Sequence, residues 1–249
     1  MMKIKKQKSN NPELSCVIIT LNEEKHLPQL LNSLKKQTFK DFEIIVADYN
    51  SADKTREIAK KYGCKVTAGG SYSVGRNNGA KISKGKYLLF LDADSILPKD
   101  FLEINFEHFK KSRNGTGTVP LKPLSNRKFD KVFFRLYDYW SKAMSRVSPH
   151  CAGCGIFARK DIFKKIGGFD ENVVFAENHD FTKRAKDHGF VILPRHMYTS
   201  VRRMDKEGRM KFVGKYVYAG LYRLLNKEIT QELFNYEFNG AVKYGEKIK

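Results

Sequence analysis

Asp92 and Asp94 stand one residue apart, directly after the apolar run Tyr87 to Leu91, in the stretch KGKYLLFLDADSILPKDF. Carboxylate oxygens are hard donors suited to Mg²⁺ or Mn²⁺, ions that keep open positions for phosphate oxygens. Two acids at this spacing suggest a metal-bridged diphosphate. The plainer reading is a cap for the helix that follows. Other polar groups recur at similar places. Asp48 closes an apolar run in VADYNSADKT, where it could accept hydrogen bonds from a nucleotide base or from ribose hydroxyls. Capping fits Ser51 or Asp53 better than Asp48. Thr20, Asn22 and Glu23 follow another apolar run in TLNEE, and GRNNGA places Arg76 and Asn77 at a helix start. An arginine there could hold a phosphate or order the acids.

The elements that must position these groups alternate in type. LSCVIITL, FEIIVAD, CKVTA and YLLFLDAD read as strands. Between them, Leu27, Leu30, Leu31 and Leu34 fall at helical spacing, DKTREIAKKYG reads as a helix closed by Gly63, and Val74 to Ser83 as a third helix. The continuous apolar run of the fourth strand implies burial on both faces. Such alternation predicts a parallel, open, doubly wound sheet. In such sheets ligands bind beyond the carboxyl ends of the strands, near the topological switch point. The acids Asp48, Asp92 and Asp94, with Thr20, Asn22 and Glu23, sit at those ends.

After Pro98 the rhythm changes. FLEINFEHFKKS is a helix, and GTGTVPLKP a strand and turn. In FDKVFFRLYDYWSKAMSRV, Phe129, Val132, Phe133, Leu136, Tyr137, Trp140, Met144 and Val147 share one helical face. Lys128, Lys131, Arg135, Lys142 and Arg146 lie largely outside it. Such a helix either lies on a membrane surface or packs on the rest of the fold. CGIFARKDIFKKIGGFDE reads as strand, helix and Gly-Gly turn, and ENHDFTKRAKDHG as a helix capped by Gly189. From Lys206 the chain is basic and aromatic, with a second candidate surface helix in MKFVGKYVYAGLYRLL. The expected organisation is a basic tail at 1–13, a domain at 14–205 divided near 97/98 into nucleotide-binding and acceptor halves, and a basic amphipathic helical extension at 206–249.

Lys plus Arg total 47 against 27 Asp plus Glu, a net charge of +20. That field attracts polyanions: nucleic acid, anionic membrane or phosphorylated substrates. Neither zinc-finger spacing nor an aromatic-basic RNA-binding pattern is present, so a nucleic-acid module is not expected. No apolar run approaches the roughly 18 residues of a membrane span. Cys16 and Cys64 read as buried or half-buried thiols. Cys151 and Cys154 form a C-x-x-C without the second pair of ligands a zinc site needs. The chain reads as reduced and cytoplasmic.

Taken in order, CVIITLNEE, QTFKDFEIIVADYNSADKT, GRNNGAKISKGKYLLFLDAD, GGFDENVVFAENHDFTKRAKDHGF and SVRRMDKEG resemble the family 2 glycosyltransferases, inverting enzymes of the GT-A fold. The matches span about Leu14 to Gly208. The resemblance implies a Rossmann-like, mostly parallel sheet. It implies transfer of a hexose or N-acetylhexosamine from a nucleotide-diphosphate sugar, UDP-linked by family habit, with Mn²⁺ or Mg²⁺ as cofactor. By the same resemblance Thr20, Glu23 and Asp48 would hold the nucleotide; Asn22 and Asn77, beside them, are further candidate donor-binding residues. Arg76 would lie near the acids, Asp92 near the sugar or ribose, and Asp94 on the metal. Arg202 or Arg203 would help neutralise the departing diphosphate, as flexible cations after the last helix.

The base that deprotonates the acceptor is the point of departure. The resemblance implies Glu-Asp at the start of the helix after GGFDE, with the Asp as base. This chain has Glu177-Asn178. Asn takes no proton near pH 7. Glu177 could assume the role, or Asp180 one turn later. Alternatively the acceptor needs no base, as a lipid phosphate does not, or the protein binds the donor with little turnover. General-base help is worth about 10²–10⁴ in rate, so a lost base leaves a slow enzyme rather than an inert one. Expected acceptors are a glycan or a polyprenyl-phosphate-linked molecule. The basic amphipathic segments suggest a peripheral place on the inner face of the cell membrane.

Overall fold

Seven residues of unbroken apolar and small side chains, Leu14–Thr20, form a first strand, β1, buried along its whole length. The computed structural model describes residues 11–145, 149, 151–173, 176–224, 237–238 and 242–243. The expected tail at 1–13 falls mostly outside them. Next come α1 (Leu27–Lys35), β2 (Phe42–Asp48), α2 (Thr55–Lys61), β3 (Lys65–Ala68), α3 (Tyr72–Ile82) and β4 (Tyr87–Asp92). Helix α3 starts two residues earlier than its apolar pattern suggests, because Ser71 Oγ accepts the Val74 amide at 3.4 Å.

The second half carries β5 (Ser95–Ile96), α4 (Phe101–Ser112), β6 (Thr116–Thr118), β7 (Leu121–Pro123), α5 (Lys128–Met144) and β8 (Ile156–Arg159). It continues through α6 (Lys160–Lys165), α7 (Glu177–Arg184), β9 (Phe190–Ile192), β10 (Met197–Thr199), α8 (Arg202–Glu207) and α9 (Arg209–Leu224). The pairs Glu237–Phe238 (β11) and Val242–Lys243 (β12) are antiparallel strands, so the extension is not helical throughout. Phe and Val there favour a pleated conformation.

The main sheet has seven strands in the order β3-β2-β1-β4-β8-β6-β9. Strands β3, β2, β1 and β4 are parallel, while β8 runs antiparallel to both β4 and β6. From β1 the chain first builds outward through β2 and β3, then crosses to β4 on the other side. The switch point therefore lies between β1 and β4. Register brings the carboxyl ends level: Thr20 pairs with Asp48, and Ile19 with Asp92. A small sheet, β5-β10-β7, begins with β5 just beyond β4 and adds strands from far along the chain.

Strand alternation sorts the core into two layers. Cys16 and Ile18 pack with Leu30, Leu34, Phe101 and Phe106 on one face. Val17, Ile45 and Phe90 pack with Phe163, Phe169 and Phe181 on the other. Helix α3 lies unusually close to β1. A Cβ at Gly75 would come within 2.9 Å of Ile19 Cγ2, and one at Gly79 would collide with Val17 Cγ1.

Helix α5 divides its expected stripe. Asp130 and Ser141 are its buried residues, and Phe134 packs against the core. Phe133 meets Phe212 of α9 edge-on. Phe129, Val132, Leu136 and Trp140 stay exposed. Arg146 and Val147 lie outside the described residues. Among the described residues no helix is long and apolar enough to cross a membrane.

Candidate active site

The polar groups at the ends of β1 and β2 bond directly to one another. Thr20 Oγ1 donates to Asp48 Oδ2 at 2.9 Å. Asp48 also accepts from the Ser51 amide at 3.0 Å and the Ser51 hydroxyl at 2.5 Å, and Arg56 Nε stands 3.6 Å from Oδ1. Asn22, in the left-handed region at φ 54°, joins the two loops. Its amide donates to Ser51 Oγ and its Oδ1 accepts from the Ala52 amide, both at 2.9 Å. Asp53 accepts from Thr55 and leads the chain into α2. Ser51, three residues beyond Asp48, was readable only as a helix cap, yet it shares the Asp48 carboxylate.

Glu23 is 1% exposed and fully engaged. Arg202 holds it with both terminal guanidinium nitrogens, Nη2 to Oε1 at 2.5 Å and Nη1 to Oε2 at 2.9 Å. Arg202 Nε also lies 3.0 Å from Asp94 Oδ2. One guanidinium thus spans an acid from the β1 end and an acid beyond the β4 end. Neither Arg202 nor Arg203 follows the last helix as a flexible cation. Both occupy the first turn of α8. Ser200 Oγ accepts the Arg202 amide there at 3.1 Å, and Gly208, at φ 85°, ends the helix. Arg203 donates to the Tyr72 hydroxyl at 3.0 Å.

The second cluster surrounds Arg76, which is 1% exposed. Nη1 donates to Glu177 Oε1 and Nη2 to the Gly153 carbonyl, each at 2.5 Å. Nη2 stands 3.7 Å from Asp92 Oδ1. The guanidinium carbon lies 5.0 Å from the Phe169 ring centroid and 5.5 Å from that of Tyr72, within cation–π range. Phe169 of the GGFD turn is itself buried and stacks on Phe181. Thus Arg76 joins α3, β4 and the start of α7 through one planar, always-charged group.

Asp92 is the most perturbed carboxylate. Its Oδ1 is buried without a hydrogen-bond partner, while the side chain as a whole is 31% exposed. Burial pushes its pKa up to about 7, against the pull of Arg76 and with help from Asp94. Its amide donates to Cys154 Sγ at 3.1 Å, and Ser95 Oγ is 3.2 Å from the same sulfur. Cys154 is a buried free thiol of the C-x-x-C, and here it serves as the floor of the two-aspartate turn.

A native pKa above the unfolded value means that the folded state binds the extra proton between about pH 4 and pH 7. This contribution to stability is therefore full at low pH and lost as pH rises through 7. Asp92→Asn removes it. The melting temperature of Asp92→Asn relative to the unaltered protein is expected to rise between pH 5 and pH 8. A constant difference across that range would refute the assignment.

Two expected groups are held elsewhere, and so is Asn178, which stands where the base was expected. The Asn77 amide brackets Phe169, accepting its N–H at 3.0 Å and donating to its carbonyl at 2.8 Å and to Glu171 at 2.9 Å. Asp180 pairs with Arg184 Nε at 2.7 Å instead of joining the Arg76 cluster, and Arg184 also bonds the Ile166 and Gly168 carbonyls. Asn178 donates its side-chain amide to the Cys151 carbonyl. The structure therefore gathers Thr20, Glu23, Asp48, Arg76, Asp92, Asp94, Glu177, Arg202 and Arg203 at one rim. Gly153 and Tyr72 carried no signal in the sequence that tied them to this site.

The family model for glycosyl transferase family 2 matches residues 15–167, which includes every strand of the parallel half and both aspartates. The chain belongs to glycosyl transferase family 2. This family 2 chain is 29% identical over 187 residues to an uncharacterized glycosyltransferase of Rickettsia typhi, covering 70% of this chain and 59% of the relative. Among solved structures it is similar to residues 1–349 of Staphylococcus aureus TarS in complex with UDP-GlcNAc. That similarity has a TM-score of 0.62 and 26% identity, over 76% of this chain and 58% of TarS 1–349. TarS is a poly(ribitol-phosphate) beta-N-acetylglucosaminyltransferase. The fold also matches the mannosyltransferase PcManGT of Pyrobaculum calidifontis, in complex with GDP-Man and Mn²⁺. There the TM-score is 0.63 and the identity 20%, over 78% of this chain and 58% of that one. The mixed sheet is thus of the GT-A type. The chain spans less than two thirds of the length of each of these proteins.

Proposed function

We propose that this family 2 chain transfers a hexose or N-acetylhexosamine, with inversion, from a nucleotide-diphosphate sugar to a glycan or lipid-linked acceptor. A UDP-sugar is the favoured donor. The observation that carries the reading is the meeting of acids and arginines at the switch point: Asp48, Glu23, Asp92 and Asp94 with Arg76, Arg202 and Arg203. A site that releases a nucleoside diphosphate needs oxygen acceptors for base and ribose, and cations for the departing charge. TarS bound to UDP-GlcNAc supports the UDP choice.

Among the described residues no three His, Cys, Asp or Glu side chains cluster as a self-sufficient metal cage. Mg²⁺ and Mn²⁺ do not require one, since one or two carboxylates plus substrate phosphates and water complete their shell. Asp94, with Asp92 and its unpartnered oxygen two residues away, fits that requirement. The bound ion would neutralise the leaving diphosphate as a Lewis acid. Arg202 would then exchange its Asp94 contact for diphosphate oxygens.

The protein's own groups do the rest. Thr20 holds Asp48 so that its carboxylate faces the nucleoside. Arg76 fixes Glu177 by Oε1, and Glu177 Oε2 would take the acceptor's proton. Asp92 would orient the sugar from its exposed oxygen. A second reading, a nucleotide-sugar-binding protein with little turnover, is favoured by Asn178, whose amide is committed to Cys151.

A thermal-shift panel of UDP-, GDP-, CDP- and dTDP-sugars, each with and without Mn²⁺, tests the proposal. The UDP-sugars are expected to raise the melting temperature most, and more with Mn²⁺. No response to any nucleotide would overturn it. Stabilisation by UDP without nucleotide release from the donor would favour the binding protein.

A further inference from the structure

The exposed large apolar side chains of the described residues concentrate on two adjacent helices. Apart from Ile82, Ile104 and Leu124, all lie on α5 and α9. On α5, Phe129, Val132, Leu136 and Trp140 recur at helical spacing and are 42%, 54%, 62% and 41% exposed. The Phe133–Phe212 contact sets α9 beside them, and there Met210 and Val217 are 75% and 56% exposed. Four exposed large apolar side chains in line on one helix, with more on the helix beside it, mark an interaction site.

Charge identifies the partner. Lys128, Lys131, Arg135 and Lys142 are exposed along the edge of the α5 stripe. Both acids of the helix turn inward. Asp130 accepts from Ser125 and from Arg209, and Asp138 accepts the Leu121 amide. Every exposed charge on α5 is therefore positive, in a chain of net charge +20. An apolar stripe with a wholly cationic border fits a bilayer interface, where acyl chains lie beneath anionic headgroups. We infer that the outer face of α5 and α9 docks on the surface of an anionic lipid bilayer, with Trp140 seated at the interface. The inference stands apart from the transferase reading, which concerns the opposite kind of surface, a polar rim.

The full chain contains one tryptophan, so its fluorescence reports on this surface alone. With vesicles of mixed phosphatidylglycerol and phosphatidylcholine, Trp140 emission is expected to shift to the blue and the protein to float with the lipid. Pure phosphatidylcholine vesicles are expected to do neither, and rising salt to release the protein. Lys131→Glu combined with Arg135→Glu is expected to weaken binding at least about tenfold. Leu136→Glu, at a position already in water, is expected to abolish the shift and keep the melting temperature. UDP-induced thermal stabilisation serves as the control for an intact polar rim in both variants. Emission unmoved by anionic vesicles would overturn the inference. So would emission already blue in the free protein, whether from a second copy in a concentration-dependent dimer or from the chain's own residues 225–249. An equal shift with soluble RNA in place of lipid would assign the face to a polyanion and likewise refute it.

Discussion

Arg76→Ala is expected to lower the unfolding free energy by about 3–5 kcal/mol, the cost of breaking a buried ion pair by removing one partner. The guanidinium is almost wholly buried. It bonds Glu177 and the Gly153 carbonyl and faces the unpartnered Asp92 oxygen. Alanine leaves two carboxylates and a carbonyl without their cation and opens a void between Tyr72 and Phe169. Arg76→Lys is expected to rescue little, because an ammonium cannot present two directed nitrogens to Glu177 and Gly153 at once. The double variant Arg76→Ala/Glu177→Gln is expected to lose less than the sum of the singles, since the Glu177 charge is then no longer stranded. Urea denaturation measures these variants and the single Glu177→Gln. A loss under about 1 kcal/mol for Arg76→Ala, typical of an exposed pair, would mean that the cluster is solvated rather than buried.

Asp94→Asn is the corresponding test of chemistry. Release of nucleotide from the donor is expected to fall on the order of 10²–10³-fold, the scale set by removing one group that stabilises developing charge. Stability should change little, because the Arg202 side chain that pairs with Asp94 is 38% exposed and keeps Glu23 as its partner. Rates of UDP release in Mn²⁺ and in chelator-treated buffer, with a melting curve as the folding control, separate the two effects. Full turnover of Asp94→Asn after chelation would remove the metal from the proposal and leave the nucleotide-binding rim intact.

The parallel half of the fold was legible because β1, β2 and β4 are long apolar runs closed by polar groups, and each helix carries a clear stripe or stop. The same runs placed Thr20, Asp48 and Asp92 at one rim, since strand ends in register must lie side by side. What the sequence concealed came from distance along the chain. Arg76 and Glu177 are separated by 101 residues, and Arg202 and Glu23 by 179. Periodicity carries no information about such pairs. Arg202 and Arg203 looked like loop cations because α8 is short, with one buried residue, Met204, and no apolar stripe. Asn77 looked like a ligand because an amide serves equally well to bind a substrate or to bracket a backbone. The Gly-Gly-Phe turn that it brackets is distant in sequence.

The bare face of α3 sets a tolerance. Gly75 and Gly79 let the helix settle onto β1 at the distance of hydrogen atoms, and the next residue after Gly75 is the arginine that reaches three other segments. A methyl group added between these layers would act as a shim. Reaction geometries degrade over displacements of about 1 Å, so a chain thickened there could remain fully folded yet be mechanically out of adjustment at its rim.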